Sequence, residues 1–170
     1  DPIRIPEASL KTDYEVELGL VIGRTIRGRI DEPAAAAAIA GLVLVNDVSE
    51  RHWQLERGGQ WDKGKGFDTF CPVGPWLVTS DEADPTVARK LVLRVNGRKR
   101  QSSTTAEMVF PPAAIVSYLS QVMTLEAGDL IFTGTPAGVG QSLKPPQFLK
   151  AGDVVELEIE GLGRQRQVCE

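Results

Sequence analysis

Asp13-Tyr14-Glu15-Val16-Glu17-Leu18-Gly19-Leu20-Val21-Ile22 alternates with a period of two, the mark of a β-strand. Tyr14, Val16, Leu18, Leu20 and Ile22 make an apolar face, so the segment lines a core. Asp13, Glu15, Glu17, Gly19 and Val21 share the other face. Glu15 and Glu17 then stand side by side, with Cα atoms roughly 6–7 Å apart. Two carboxylates that close raise each other's pKa unless a positive charge lies between them. Taken alone, the pair is explained by a solvated edge strand with a polar outer face. The sharper alternative is a divalent cation, which needs at least one more oxygen ligand from elsewhere in the chain.

Around this strand the chain is punctuated by many turns, with 17 glycines and 11 prolines in 170 residues. Asp1–Leu10 is an irregular lead-in broken by Pro2 and Pro6. Asp31-Glu32-Pro33 and the alanines after it start a helix that Gly41 closes. Leu42–Val45 is a short buried strand with Asn46 and Asp47 at its end, and Ser49 caps a helix running through Glu56. Gln60–Phe70 reads as a functional loop. Pro75–Thr79 is a strand, and Asn96-Gly97 joins Leu91–Val95 to Arg98–Ser102 as a type I′ hairpin. Pro111-Pro112 opens a helix with Ile115, Val116, Leu119 and Met123 inward. Strands follow at Asp129–Thr133 and Val154–Ile159, with a last one after Gly161-Leu162-Gly163. Leu125–Asp129 and Leu149–Asp153 repeat one turn before two strands. Many short strands with two or three helices predict an α+β, mostly β core in a single domain over residues 1–170.

A composition of 42% hydrophobic and 25% charged residues is that of a globular chain. A net charge of −4 offers no electrostatic footprint for nucleic acid, and no apolar run is long enough to span a bilayer. Two cysteines, Cys71 and Cys169, are too few for a disulfide framework, so a reducing cytoplasm is expected.

Asp47, ending an apolar strand, is the candidate third ligand, although Asn and Asp also end strands as ordinary turn residues. Arg51 and Gln54 fall on one helical face and can point into the same pocket, where a guanidinium would grip a substrate carboxylate or carbonyl. An exposed Arg and Gln on an ordinary helix would show the same spacing. Asp62-Lys63-Gly64-Lys65-Gly66 lacks the full pattern of a phosphate loop, and a lysine between glycines can instead approach a substrate carbonyl or enolate. Thr133–Gly140 could form a backbone nest for a carboxylate. His52, the only histidine, reads as a surface residue, and Cys71 between Phe70 and Pro72 reads as buried.

Together these segments resemble the catalytic C-terminal domain of the fumarylacetoacetate hydrolase family. The likeness runs from Asp13 to Gly163 and rests on four stretches in order. These are Asp13–Glu17, Asn46–Gln54, Gly64–Phe70 and Thr133–Gly140. The resemblance implies a mixed β-sheet roll with flanking helices, usually assembled as a homodimer. It implies Mg²⁺, or alternatively Mn²⁺ or Ca²⁺, on Glu15, Glu17 and Asp47. Arg51, Gln54, Lys65 and Thr135 would hold a small oxo-acid substrate, with Lys65, Arg51 and Gln54 as the catalytic group. Glu56–Lys65 resembles members acting on 2,4-diketo-3-deoxy sugar acids, with related loops in acylpyruvate hydrolases. The family's catalytic histidine and its partner glutamate come from a lid before the first strand. Nothing ahead of Asp13 supplies a histidine, so the lid is expected to be missing and the general base stays unassigned.

The implied activity is metal-dependent hydrolysis of a carbon–carbon bond in a 2,4-dioxo acid, releasing pyruvate. Two rivals stand beside it. An oxaloacetate-type decarboxylase or keto–enol isomerase would use the same enolate, and a metal-free ligand-binding module would use the fold without chemistry.

Overall fold

A computed structural model describes residues 1–170. Two very short strands frame the start of the site, β1 (Thr12–Asp13) and, later, β4 (Ser49–Glu50), which pair with each other. Between them lie β2 (Val16–Ile22), helix α1 (Glu32–Ala36) and β3 (Ile39–Asn46). Helices α2 (Arg51–Leu55) and α3 (Asp62–Lys65) follow β4, then β5 (Val78–Thr79) and the hairpin β6 (Lys90–Val95)–β7 (Arg98–Thr104). The chain ends through α4 (Pro112–Leu119), β8 (Leu130–Phe132), β9 (Val154–Ile159) and β10 (Gly163–Val168). The result is an α+β fold dominated by strands, with four short helices where two or three were expected.

Two four-stranded sheets, ordered β5-β3-β2-β8 and β10-β9-β6-β7, supply most of the core. Val16, Leu18, Leu20 and Ile22 of β2 join Leu42 and Leu44 of β3 in one buried cluster with Leu91, Leu93, Val155, Leu157 and Ile159 of the other sheet. Burial of these aliphatic chains, each worth about 1.5–3 kcal/mol, is the main force bringing the sheets together. Every ladder is antiparallel, and the mixed character of the roll rests on one parallel bridge, Ile3–Cys169. Helices α1 and α4 pack on each other, burying Ala35 and Val116. No helix is long and apolar enough to cross a membrane.

The period-two reading of β2 holds, but its setting does not match a solvated edge. The strand lies between β3 and β8 and is buried along its whole length. Gly41 closes no helix: it sits inside β3, where a Cβ would collide with the carbonyl oxygen of Val78 in the neighbouring strand. A small residue is needed there for close approach, and that need looks like a helix stop from sequence alone. Ser49 lies in β4 and does not cap α2; the carboxylate of Glu50 does, accepting from the Trp53 N–H at 2.7 Å. Residues 62–65, expected as loop, form the single helical turn α3.

Asn96 and Gly97 have φ of 52° and 73°, as a type I′ turn requires. The two matching turns are also one device. Asp129 Oδ2 accepts from the Glu126 N–H at 2.7 Å, and Asp153 Oδ2 accepts from the Lys150 N–H at 2.8 Å.

Candidate metal centre and its cleft

The register of β2 on β3 brings the acidic residues together. Val16 pairs with Asn46, so the residue that follows β3, Asp47, lies opposite Glu15, and its N–H donates to the Glu15 carbonyl at 2.9 Å. Glu17 projects on the same face of β2 as Glu15, the faces alternating with period two. One carboxylate oxygen from each of Glu15, Glu17 and Asp47 lies within 4.8 Å of the others. Further along that face, Val21, Val43 and Val45 form a small apolar cluster with Cys71 and Phe132 packed against it. Gly19 makes room for it, since a Cβ there would come within 2.6 Å of a Val43 methyl.

This apolar floor strips water from the acids. Glu17 is 2% exposed, and its only protein partner is the Gly134 N–H at 2.8 Å. Burial first, then the negative charge of Asp47, pushes its carboxyl up to about 8. Burial also raises Asp47, against the pull of Lys65. Lys65 Nζ bridges Glu15 Oε2 at 2.8 Å and Asp47 Oδ2 at 2.6 Å. The cations that reach the cluster, Lys65 and the Arg51 guanidinium, meet Glu15 and Asp47 only, and Glu17 has none of its own. An all-oxygen donor set with uncompensated negative charge fits a hard divalent cation.

Arg51 is buried beneath the cluster and fully directed. Its Nε donates to Asp13 Oδ2 at 3.0 Å, Nη1 to Gln54 Oε1 at 2.9 Å, and Nη2 pairs with Glu15 Oε1 at 2.7 Å. Burial disfavours its charge, but Asp13 and Glu15 outweigh that and raise its pKa above the ordinary arginine value. Because an N–H of Arg51 requires an oxygen, the Gln54 amide is oriented with Nε2 away from Arg51. That Nε2 has no protein partner, and Gln54 lines the cleft. Gly64 lets α3 lie directly on α2, since a Cβ there would come within 2.6–2.8 Å of Gln54 atoms. This contact, not free access between glycines, positions Lys65.

Thr135 lines the same cleft, but its hydroxyl donates to the Val16 carbonyl at 2.9 Å and accepts from Gln101 Nε2 at 2.8 Å. The nest expected in Thr133–Gly140 exists at its end and holds a carboxylate of the protein itself. Asp13 accepts from the N–H groups of Gly140 at 2.7 Å and Gln141 at 3.0 Å. Asp13 is the residue the sequence reading passed over. It stands two positions before Glu15 on the same alternating face, and that spacing was the available signal. His52 pairs with Glu56 and Arg57 at 2.9 Å each and lies outside the cleft. Burial, with Asp47 and Glu17 adding to it, pushes the Cys71 thiol up to about 11, so it is no nucleophile at neutral pH.

The cleft above these groups has a volume of about 650 Å³. The model of the fumarylacetoacetate (FAA) hydrolase C-terminal family matches residues 1–169. The chain belongs to the fumarylacetoacetate hydrolase family. A solved fumarylacetoacetate hydrolase from Exiguobacterium antarcticum superposes with a TM-score of 0.95 at 42% identity, covering 100% of this chain and 61% of that one. The fumarylpyruvate hydrolase of Pseudomonas aeruginosa, solved in complex with Mn²⁺ and pyruvate, superposes at 0.89 with 30% identity, covering 99% and 70%. Isomerases also stand among the structural neighbours. A Burkholderia lata protein whose name specifies no substrate is 57% identical over 168 residues, 98% of this chain and 59% of that protein. The chain thus spans about three-fifths of the length of the curated relatives it matches.

Proposed function

We propose that this chain is the catalytic core of a hydrolase that splits a 2,4-dioxo acid of the acylpyruvate type into pyruvate and a carboxylic acid. 2,4-Diketo-3-deoxy sugar acids fall within that class. The observation that carries the reading is the set of Glu15, Glu17 and Asp47, three carboxylates within 4.8 Å at the base of a cleft. These residues would hold Mg²⁺ or Mn²⁺, which when bound acts as a Lewis acid toward the oxygens of the dioxo unit.

The reaction adds water to the distal carbonyl carbon and breaks its bond to the methylene. The electron pair stays on the methylene as an enolate, and a proton added there completes pyruvate. Lys65, on the cleft wall, offers an ammonium toward the negative charge that grows on the enolate oxygen. Gln54 presents its free Nε2 to a substrate oxygen. Arg51 serves both by fixing the Gln54 amide and Glu15, so its part is positioning. Thr135 shapes the wall.

Pyruvate release from acetylpyruvate by the full-length protein with Mg²⁺ tests the reading. Release should stop in EDTA, and Asp47→Asn should lower it by about 100-fold or more, the scale of losing an electrostatic group at the reacting centre. Turnover that persists undiminished in EDTA overturns it. The presence of isomerases among the neighbours favours one second reading, the same enolate used without hydrolysis. Oxaloacetate decarboxylation or ketonisation without acylpyruvate cleavage would select that reading.

A further inference from the structure

Both cations of the cleft are engaged with the protein's own acids: Arg51 on Asp13 and Glu15, Lys65 on Glu15 and Asp47. The nearby basic residues of the α2–α3 segment turn elsewhere. Arg57 lies over the Trp53 ring at 4.6 Å and donates to His52, while Lys63 donates to the Arg57 carbonyl at 2.6 Å. Among the residues that line the cleft, therefore, no cation is free to receive an anion away from the carboxylate cluster.

The remaining wall of the cleft is uncharged. Leu55, Trp61, Phe132, Ala137 and Val139 line it, with the neutral Gln141 and Ser142 among them. Trp61 breaks two local rules at once. It occupies the N-cap of α3, where Ser, Thr, Asp or Asn would bond the exposed N–H groups, and its side chain makes no such bond. It is also 61% exposed, so it gains little from packing. A residue that weakens its own helix end and packs on little is explained by what it does in the cleft it lines.

We propose that the cleft selects 2-oxo acids whose far end is uncharged, and that Trp61 is the residue that recognises that end. The proposal deepens the acylpyruvate reading and rests on it for the orientation of the acid. A second carboxylate on the tail would be drawn out of water against an apolar wall, with three protein carboxylates in the same cleft and no cation to meet it. A methyl or methylene tail instead covers the indole and Leu55.

Calorimetric titration of the Mg²⁺-loaded full-length protein with 2-oxopentanoate and 2-oxoglutarate tests this directly. The two probes have the same carbon chain and differ in a terminal methyl against a carboxylate. The expected result is that 2-oxopentanoate binds about tenfold or more tightly, the scale set by leaving a partly buried charge unpaired. Trp61→Ala should shrink that ratio by weakening 2-oxopentanoate, and Trp61→Lys should reverse it by adding a cation. Equal or tighter binding of 2-oxoglutarate by the natural protein overturns the proposal, as does an unchanged ratio in Trp61→Ala or no binding of either probe. Pyruvate release from acetylpyruvate is followed on the same preparation. Loss of that release with the binding preference intact counts against the hydrolase reading alone, and release without the preference counts against the tail proposal alone.

Discussion

Glu17→Gln in the metal-free protein should change how stability depends on pH. The carboxyl stands at about 8 in the folded chain against an ordinary value of 4.5. Between those values the folded state binds more protons than the unfolded one, so stability falls as pH rises through that window. Asp47, also raised, acts in the same direction. At about 1.4 kcal/mol per unit, the Glu17 shift alone amounts to ~5 kcal/mol at full ionisation, most of which is lost between about pH 5 and pH 8. For a domain of this size that loss corresponds to a fall in Tm of about 10 °C. Thermal melts of EDTA-treated protein at pH steps across the window, with Glu17→Gln alongside, measure it. The natural protein should soften steadily, the variant should stay much flatter and be the more stable near pH 8, and Mg²⁺ should restore the natural protein there. A flat profile, or the same slope in both proteins, refutes the reasoning that burial, with Asp47 beside it, holds Glu17 protonated in the folded chain.

Three further perturbations follow from the same geometry. Arg51→Met leaves Asp13 and Glu15 buried without their guanidinium and should cost about 3–5 kcal/mol in urea unfolding; a loss under about 1 kcal/mol would show that the ion pairs do not organise the site. Gln54→Leu removes the free amide donor and the Arg51 Nη1 partner, so KM for an acylpyruvate should rise about tenfold while stability falls by about 2 kcal/mol. An unchanged KM would remove Gln54 from substrate binding. Asn96→Ala loses the side-chain bonds to Asp153 and the Val154 N–H, both 2.8 Å, and places alanine at a φ of 52°. It should cost about 2 kcal/mol with kcat/KM unchanged, since the turn is remote from the cleft.

What the sequence showed best were features decided by neighbours in the chain. The alternation of β2, the Asn96-Gly97 turn and the Arg51/Gln54 face are all local patterns, and each appears in the structure. What stayed hidden depended on residues distant in sequence. Gly41 is small because β5 crosses it, and nothing near it announces Val78. Gly64 is small because Gln54 lies against it, so a helical turn read as an open loop. Glu17 is met by Gly134, just after β8, whose N–H reaches it from more than a hundred residues later in the chain. Asp13 was in plain view on the alternating face, but its partners Arg51, Gly140 and Gln141 come from three other segments.

Arg51 ties α2 to Asp13 of β1 and to Glu15, just ahead of β2, and so makes part of the candidate cleft a foundation of the fold. Lys65 also pairs two acids, but at 21% side-chain exposure against 8% for Arg51 it is the more open to water, and Nε2 of Gln54 bonds no protein group. Loss of activity can therefore take two unequal routes. Losing Lys65 should cost the fold less than losing Arg51, which leaves the fully buried Asp13 without its guanidinium. Finding Arg51 and Asp13 in a distant sequence accordingly speaks for the architecture, whereas on the proposed mechanism the lysine beside them is what a working enzyme must also keep.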